Sequence, residues 1–225
     1  MKYFILALML LYSLPAMAED TSGWPPLHVA LLRDFSKWQV YDEAYGDLNG
    51  DGIKDAAVIM FLEPKDGEER GSAAVAVLFG IDKDGKEFKM HAQAGGATCV
   101  GCGGPKASFT DPMGKLGITD KGILTIDYSG GARSMYDLNT KWRYDKGYNR
   151  IVLIGETRVV TDTMGEYPVD KFDINYSTLK AERMIGDKKI TCLIPKEWKN
   201  QELASFDYEL HGEHLSDLGG ENCKP

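Results

Sequence analysis

Gly and Asp recur at short intervals along this chain, and the stretches between them are brief runs of β-forming residues. Runs 39–45 (QVYDEAY) and 56–62 (AAVIMFL) flank an acidic loop. Run 73–81 (AAVAVLFGI) enters a DKDG turn at 82–85 and 86–92 (KEFKMHA) leaves it, a hairpin pattern. A DKG turn divides 116–129 into two alternating runs, and 140–160 reads as another hairpin with Trp142, Tyr144, Ile151 and Leu153 inward. Late strands are expected at 189–194 and 205–210. Helix signals are few: residues 27–35, and a turn or two over 197–203 after Pro195. Short strands with turn signals at this spacing predict a mostly β fold, its antiparallel sheets built from hairpins with few short helices.

The N-terminus bears on compartment. Lys2 is followed by an apolar run at 4–14 and by the small-x-small site Ala16-Met17-Ala18, the pattern of a secretory signal peptide over 1–18. The run is too short to span a bilayer, which takes roughly 20 residues. The expected mature chain is one β-rich domain over 19–225, periplasmic or secreted, with no membrane span. Removing the leader removes Lys2 and no acid, taking the net charge from −8 to −9. That acidity argues against nucleic acid as a partner. Four cysteines, Cys99, Cys102, Cys192 and Cys223, fit an oxidising compartment. The simplest pairing is Cys99–Cys102 with Cys192–Cys223, although four cysteines allow three connectivities.

The acidic loop GDLNGDGIKDAAVI (46–59) carries the most chemistry. Counted from Asp47, side-chain oxygens fall at the first, third, fifth and ninth places: Asp47, Asn49, Asp51 and Asp55. Gly52 is sixth and permits a sharp turn, and the Ile53 carbonyl is seventh. Alternate hard oxygens on a tight loop suit Ca2+, which takes about six to eight of them. Leu48 and Gly50 point away from such a centre. An EF-hand needs a bidentate Glu at the twelfth place and a helix after it; here that place is Val58, inside a β run. The competing reading is an Asx-rich hairpin turn with no metal. Asp82 and Asp84 form a plainer turn.

With Asp55 ninth and a strand following, the pattern resembles the FG-GAP family, the calcium-loop repeat of integrin-type β-propellers and of bacterial VCBS-type repeats. Asp47, Asn49, Asp51, Gly52 and Asp55 carry the resemblance, and VLFGIDKDGKEF (77–88) resembles the family's second hairpin. It covers about 45–88 and implies structural Ca2+ held by those side chains and a backbone carbonyl. One such motif in a chain this short implies a single propeller-blade-like unit, not a propeller.

Other constellations carry less. CVGC lacks the βαβ context of a redox motif, and Gly103 stands where c-type haem attachment needs His. HGEH at 211–214 lacks the HExxH pattern, which favours solvated histidines over a metal centre. YSGGARS at 128–134 reads as a bulge or tight bend. No nucleophile elbow, phosphate loop or dinucleotide fingerprint occurs, so neither catalytic nor cofactor-binding residues are assigned. Three functions fit: a Ca2+-stabilised module binding a protein or glycan, including an inhibitor or immunity protein; an envelope-acting hydrolase with a carboxylate or His-based site; or a mainly structural role in the envelope.

Overall fold

Two kinds of strand pattern in the sequence produce two kinds of sheet. In the computed structural model, which describes residues 37–64, 71–83, 85–101, 112–208, 211 and 223–224, the first four strands form an antiparallel meander. They are β1 (Gln39–Gly46), β2 (Asp55–Leu62), β3 (Ser72–Gly80) and β4 (Phe88–Ala94). β2 and β3 are continuous apolar runs rather than alternating ones, and both of their faces are buried. An unbroken apolar strand has no face to give to water, so it must be covered twice.

The second sheet has eight antiparallel strands: β5 (Lys115–Ile118), β6 (Ile123–Gly131), β7 (Ser134–Asp145), β8 (Arg150–Asp162), β9 (Asp170–Asn175), β10 (Lys180–Ile185), β11 (Lys188–Leu193) and β12 (Cys223–Lys224). β6, β9 and β10 alternate, whereas β8 buries Ile151, Val152 and Leu153 in succession. Leu124, Ile126 and Tyr128 on β6 face the core, while Asp127 and Ser129 face water and bond to Asn139 and Asp137. Each sheet joins strands in chain order, and two short 3-10 turns, Lys196–Trp198 and Leu203–Ser205, follow β11. The mostly β expectation holds. No helix among the described residues is long and apolar enough to cross a membrane.

One core joins the sheets, with Ala57, Ile59, Val75 and Val77 from the small sheet against Leu124, Ile126, Trp142 and Leu153 from the large one. Aromatic contacts bridge the same gap: Phe79 on β3 lies 5.1 Å from Tyr144 on β7, edge to face. Asp42 on β1 accepts the Leu116 N–H of β5 at 2.6 Å, fastening edge to edge.

Hairpin 140–160 forms as expected, with Trp142, Ile151 and Leu153 buried and Tyr144 partly so. The pairing slips after Lys141↔Gly155 to Trp142↔Leu153, leaving Ile154 as an extra, bulged residue. β9 pairs β8 only from Gly155 onward, so the bulged edge takes other partners. Leu153 donates to the Gln201 carbonyl, and Tyr176 donates to that of Ile154.

One expectation needs correction, and two strands were not expected at all. Residues 205–210 form no strand among those described: Leu203 and Phe206 are buried three apart, the period of the 3-10 turn that stands there, not the period of two a strand needs. β9 and β10 went unread because DKFDIN is half charged or amide and KAERM is a strong helix former. Pairing to β8 on one side and β11 on the other overrides that preference. The leader 1–18, the expected helix 27–35, Asp84, Cys102 and His214 lie outside the described residues.

Candidate functional site

Residues 47–54 link β1 to β2, and Gly46↔Asp55 is the last pair of that hairpin. Asp47 organises the loop from its first position. Its Oδ1 accepts the N–H groups of Gly50 (2.7 Å) and Asp51 (3.2 Å), and its Oδ2 accepts that of Gly52 (2.9 Å). Asn49 Oδ1 accepts the Asp51 N–H at 2.9 Å, and Asn49 Nδ2 donates to Asp51 Oδ2 at 2.9 Å. Asp51 Oδ1 in turn accepts the Ile53 N–H at 2.7 Å. Gly50 and Gly52 both hold left-handed φ, 71° and 82°. Nothing lies within 4 Å of where a Cβ on Gly52 would sit, so its glycine answers conformation, not space.

Leu48 points away from these side chains as expected, and it enters the main core. The turn before β6 packs beneath: a Cβ on Gly122 would sit 2.5 Å from the Asp47 carbonyl oxygen.

Asp55 holds the loop backbone at its buried end. It is fully buried, and its Oδ2 accepts the Leu48 N–H at 2.7 Å and the Asn49 N–H at 3.2 Å. Its Oδ1 accepts the Gly80 N–H at 3.0 Å, tying the loop to the end of β3. Burial pushes the Asp55 carboxyl up; the N–H groups of Gly80, Leu48 and Asn49 pull it back, and Asp51 adds repulsion. The net direction is upward. Asp47, Asn49 and Asp51 are thus brought together at the rim, while Asp55 supports them from below. Among the described residues no three His, Cys, Asp or Glu side chains are already disposed around a metal position.

A second polar cluster escaped sequence reasoning. Glu156 on β8 is buried, and its Oε2 accepts the Tyr176 hydroxyl at 3.0 Å and lies 2.5 Å from His211 Nε2. Glu156 Oε1 is buried with no hydrogen-bond partner among the described residues. Burial, then the Glu156 charge and the bond to it, push the Tyr176 phenol well up. His211, expected to be solvated, is only 3% exposed and packs 4.9 Å from the Phe206 ring. The available signal was Glu156 itself, an acid inside the apolar run IVLIGETRVV. The trio has acid–base character, but its three members are sealed from solvent.

The remaining candidates are structural. YSGGARS forms the tight β6–β7 turn, and Arg133 pairs with Asp162 and Glu166 across it. Burial works against the Asp162 charge, but the N–H groups of Glu166, Met164 and Tyr167, with Arg133, hold its carboxyl below the usual range. Cys192 and Cys223 form a disulfide joining β11 to β12, and Cys99 is also disulfide-bonded. These bonds are compatible with an oxidising compartment.

Comparison with protein families, with curated proteins and with solved structures finds no match to this chain.

Proposed function

We propose that this chain is an extracytoplasmic β domain, stabilised by Ca2+, that acts as a protein- or glycan-binding module. The observation that carries the reading is the crowding of Asp47, Asn49 and Asp51 oxygens on one exposed turn. All are hard donors, and Asp47 Oδ2, Asn49 Oδ1 and both Asp51 carboxylate oxygens each accept a single N–H, which leaves each a lone pair for a cation. Asp47, Asn49, Asp51 and the Ile53 carbonyl would hold the ion, with Asp55 shaping the loop beneath. The ion would supply charge neutralisation for carboxylates that otherwise repel one another. The four-stranded meander bearing this loop has the strand number and connectivity of one propeller blade, in keeping with the FG-GAP resemblance.

Support for binding comes from the far end of the large sheet. Met164, Tyr167 and Val169 on the β8–β9 connection and Met184 on β10 are exposed. The Gly186 N–H bonds to the Val169 carbonyl, so the two turns sit together. Exposed aromatic and thioether side chains in one place suit recognition, because they offer apolar area at low entropic cost. Glu156 and His211 are buried, so their proximity does not by itself favour the hydrolase alternative.

The test is a thermal melt of chelator-stripped protein with and without Ca2+. A native-state ligand raises the midpoint by mass action, and a rise of several degrees is expected. Asp47→Ala should abolish the rise. An unchanged midpoint in the parent protein would end the calcium reading.

A further inference from the structure

Asn49 alone among the asparagines of the sequence is followed by glycine. The adjacency matters because the backbone nitrogen of the next residue can attack an asparagine carboxamide, and glycine leaves that nitrogen unshielded. Nucleophile and carboxamide are chain neighbours, so the attack is intramolecular. The loop around this pair holds the other groups that such an attack uses.

The Gly50 N–H carries the proton to be lost, and it donates to Asp47 Oδ1 at 2.7 Å, within reach of a general base. Asn49 Oδ1, the oxygen on which charge develops, accepts the Asp51 N–H at 2.9 Å, as in an oxyanion hole. Asn49 Nδ2, the leaving group, donates to Asp51 Oδ2 at 2.9 Å, which holds the carboxamide in place. Lys146 brings a positive charge to the same spot: a Cβ on Gly50 would sit 3.3 Å from its Nζ. A cation there favours the negative charge that builds up during attack. Gly50 and Asp51 are exposed, so water reaches the product.

We infer that Asn49–Gly50 is a self-modification site, at which the folded loop converts Asn49 to an aspartyl or isoaspartyl residue. Gly50 N forms a bond to Asn49 Cγ while its proton passes to Asp47. The C=O electron pair moves onto Oδ1, beside the Asp51 N–H. When that pair returns, the Cγ–Nδ2 bond breaks, and Nδ2 leaves as ammonia with the proton that Asp47 received. Water then opens the succinimide ring at either carbonyl. The sum is asparagine plus water to aspartate or isoaspartate plus ammonia, with no oxidation or reduction. Either product adds a carboxylate beside Asp47 and Asp51, and the isoaspartyl link also adds a methylene to the loop backbone. No cation takes part, so a chain that binds no Ca2+ still converts.

The experiment incubates the purified chain with chelator at physiological temperature. Mass spectrometry follows the tryptic peptide 38–54, chromatography separates its aspartyl and isoaspartyl forms, and released ammonia is measured. Asn49 should convert about tenfold faster than Asn139, Asn149, Asn175 or Asn200, and several-fold faster than in a synthetic peptide of residues 46–54. Asp47→Asn removes the base while keeping an acceptor for the loop amides, and it should slow conversion about tenfold. Conversion no faster in the folded chain than in the peptide would overturn the inference, whether or not the variant folds. A folded Asp47→Asn chain that converts at the parent rate would also overturn it.

Discussion

Asp55 holds three backbone N–H groups, from Leu48, Asn49 and Gly80, on one buried carboxylate. Asp55→Ala would leave them without acceptors, at about 1–3 kcal/mol for each fully buried group. Two of the three, from Leu48 and Gly80, are buried, so urea denaturation should show a loss of at least ~2 kcal/mol, far beyond a surface Asp→Ala change. The same residue has a definite pH signature. Its folded-state value is raised from the ordinary 3.8, so its favourable contribution is full below that pH and is lost as pH rises through the raised value. A cation beside Asp51 would offset that loss, so the Ca2+-dependent rise in melting temperature should be larger at pH 7 than at pH 4. Asp47, Asn49 and Asp51 were legible in the sequence because their partners lie within five residues. The role of Asp55 was not, since Gly80 stands 25 positions away. Glu156 and His211, 55 apart, were hidden for the same reason.

At the scale of elements, apolar pattern was the readable quantity. β2 and β3 declared themselves as unbroken runs, and β6 as strict alternation. What could not be read was where pairing overrides propensity, as in β10, or where a bulge frees an edge for another segment, as at Ile154. His91 on β4 tests the junction of the two sheets. Its ring stacks on Phe79 at 4.1 Å and meets Tyr144 edge-on at 5.4 Å. Burial lowers its pKa from the ordinary 6.5, against a smaller opposing pull from Glu202. A depressed histidine contributes stability above pH 6.5 that is lost as pH falls through the folded-state value. His91→Phe keeps an aromatic ring and removes the titration. Its denaturation midpoint should fall less than the parent's between pH 7 and pH 5, and parallel pH profiles would refute the assignment.

The whole molecule keeps its sheets from growing by closing their edges. β1 is fastened to β5 through Asp42. Beyond β4, the Gly96 carbonyl takes the Tyr208 N–H at 2.7 Å. Among the described residues, Cys223 and Lys224 are the two that pair along the outer edge of β11. A two-residue strand has little cooperativity of its own, so the Cys192–Cys223 disulfide is what holds it there. The bond spans 31 residues, and losing a crosslink of that span frees unfolded-chain entropy worth about 3 kcal/mol. It also bares a strand edge, which invites pairing with a second copy. Replacing both cysteines by serine should lower stability in urea by that amount and bring concentration-dependent association, read by size-exclusion chromatography. The two effects separate the causes. A stability loss without association would mean that residues before Cys223 still cover β11, and association without stability loss would mean that the bond guards an edge and adds little else.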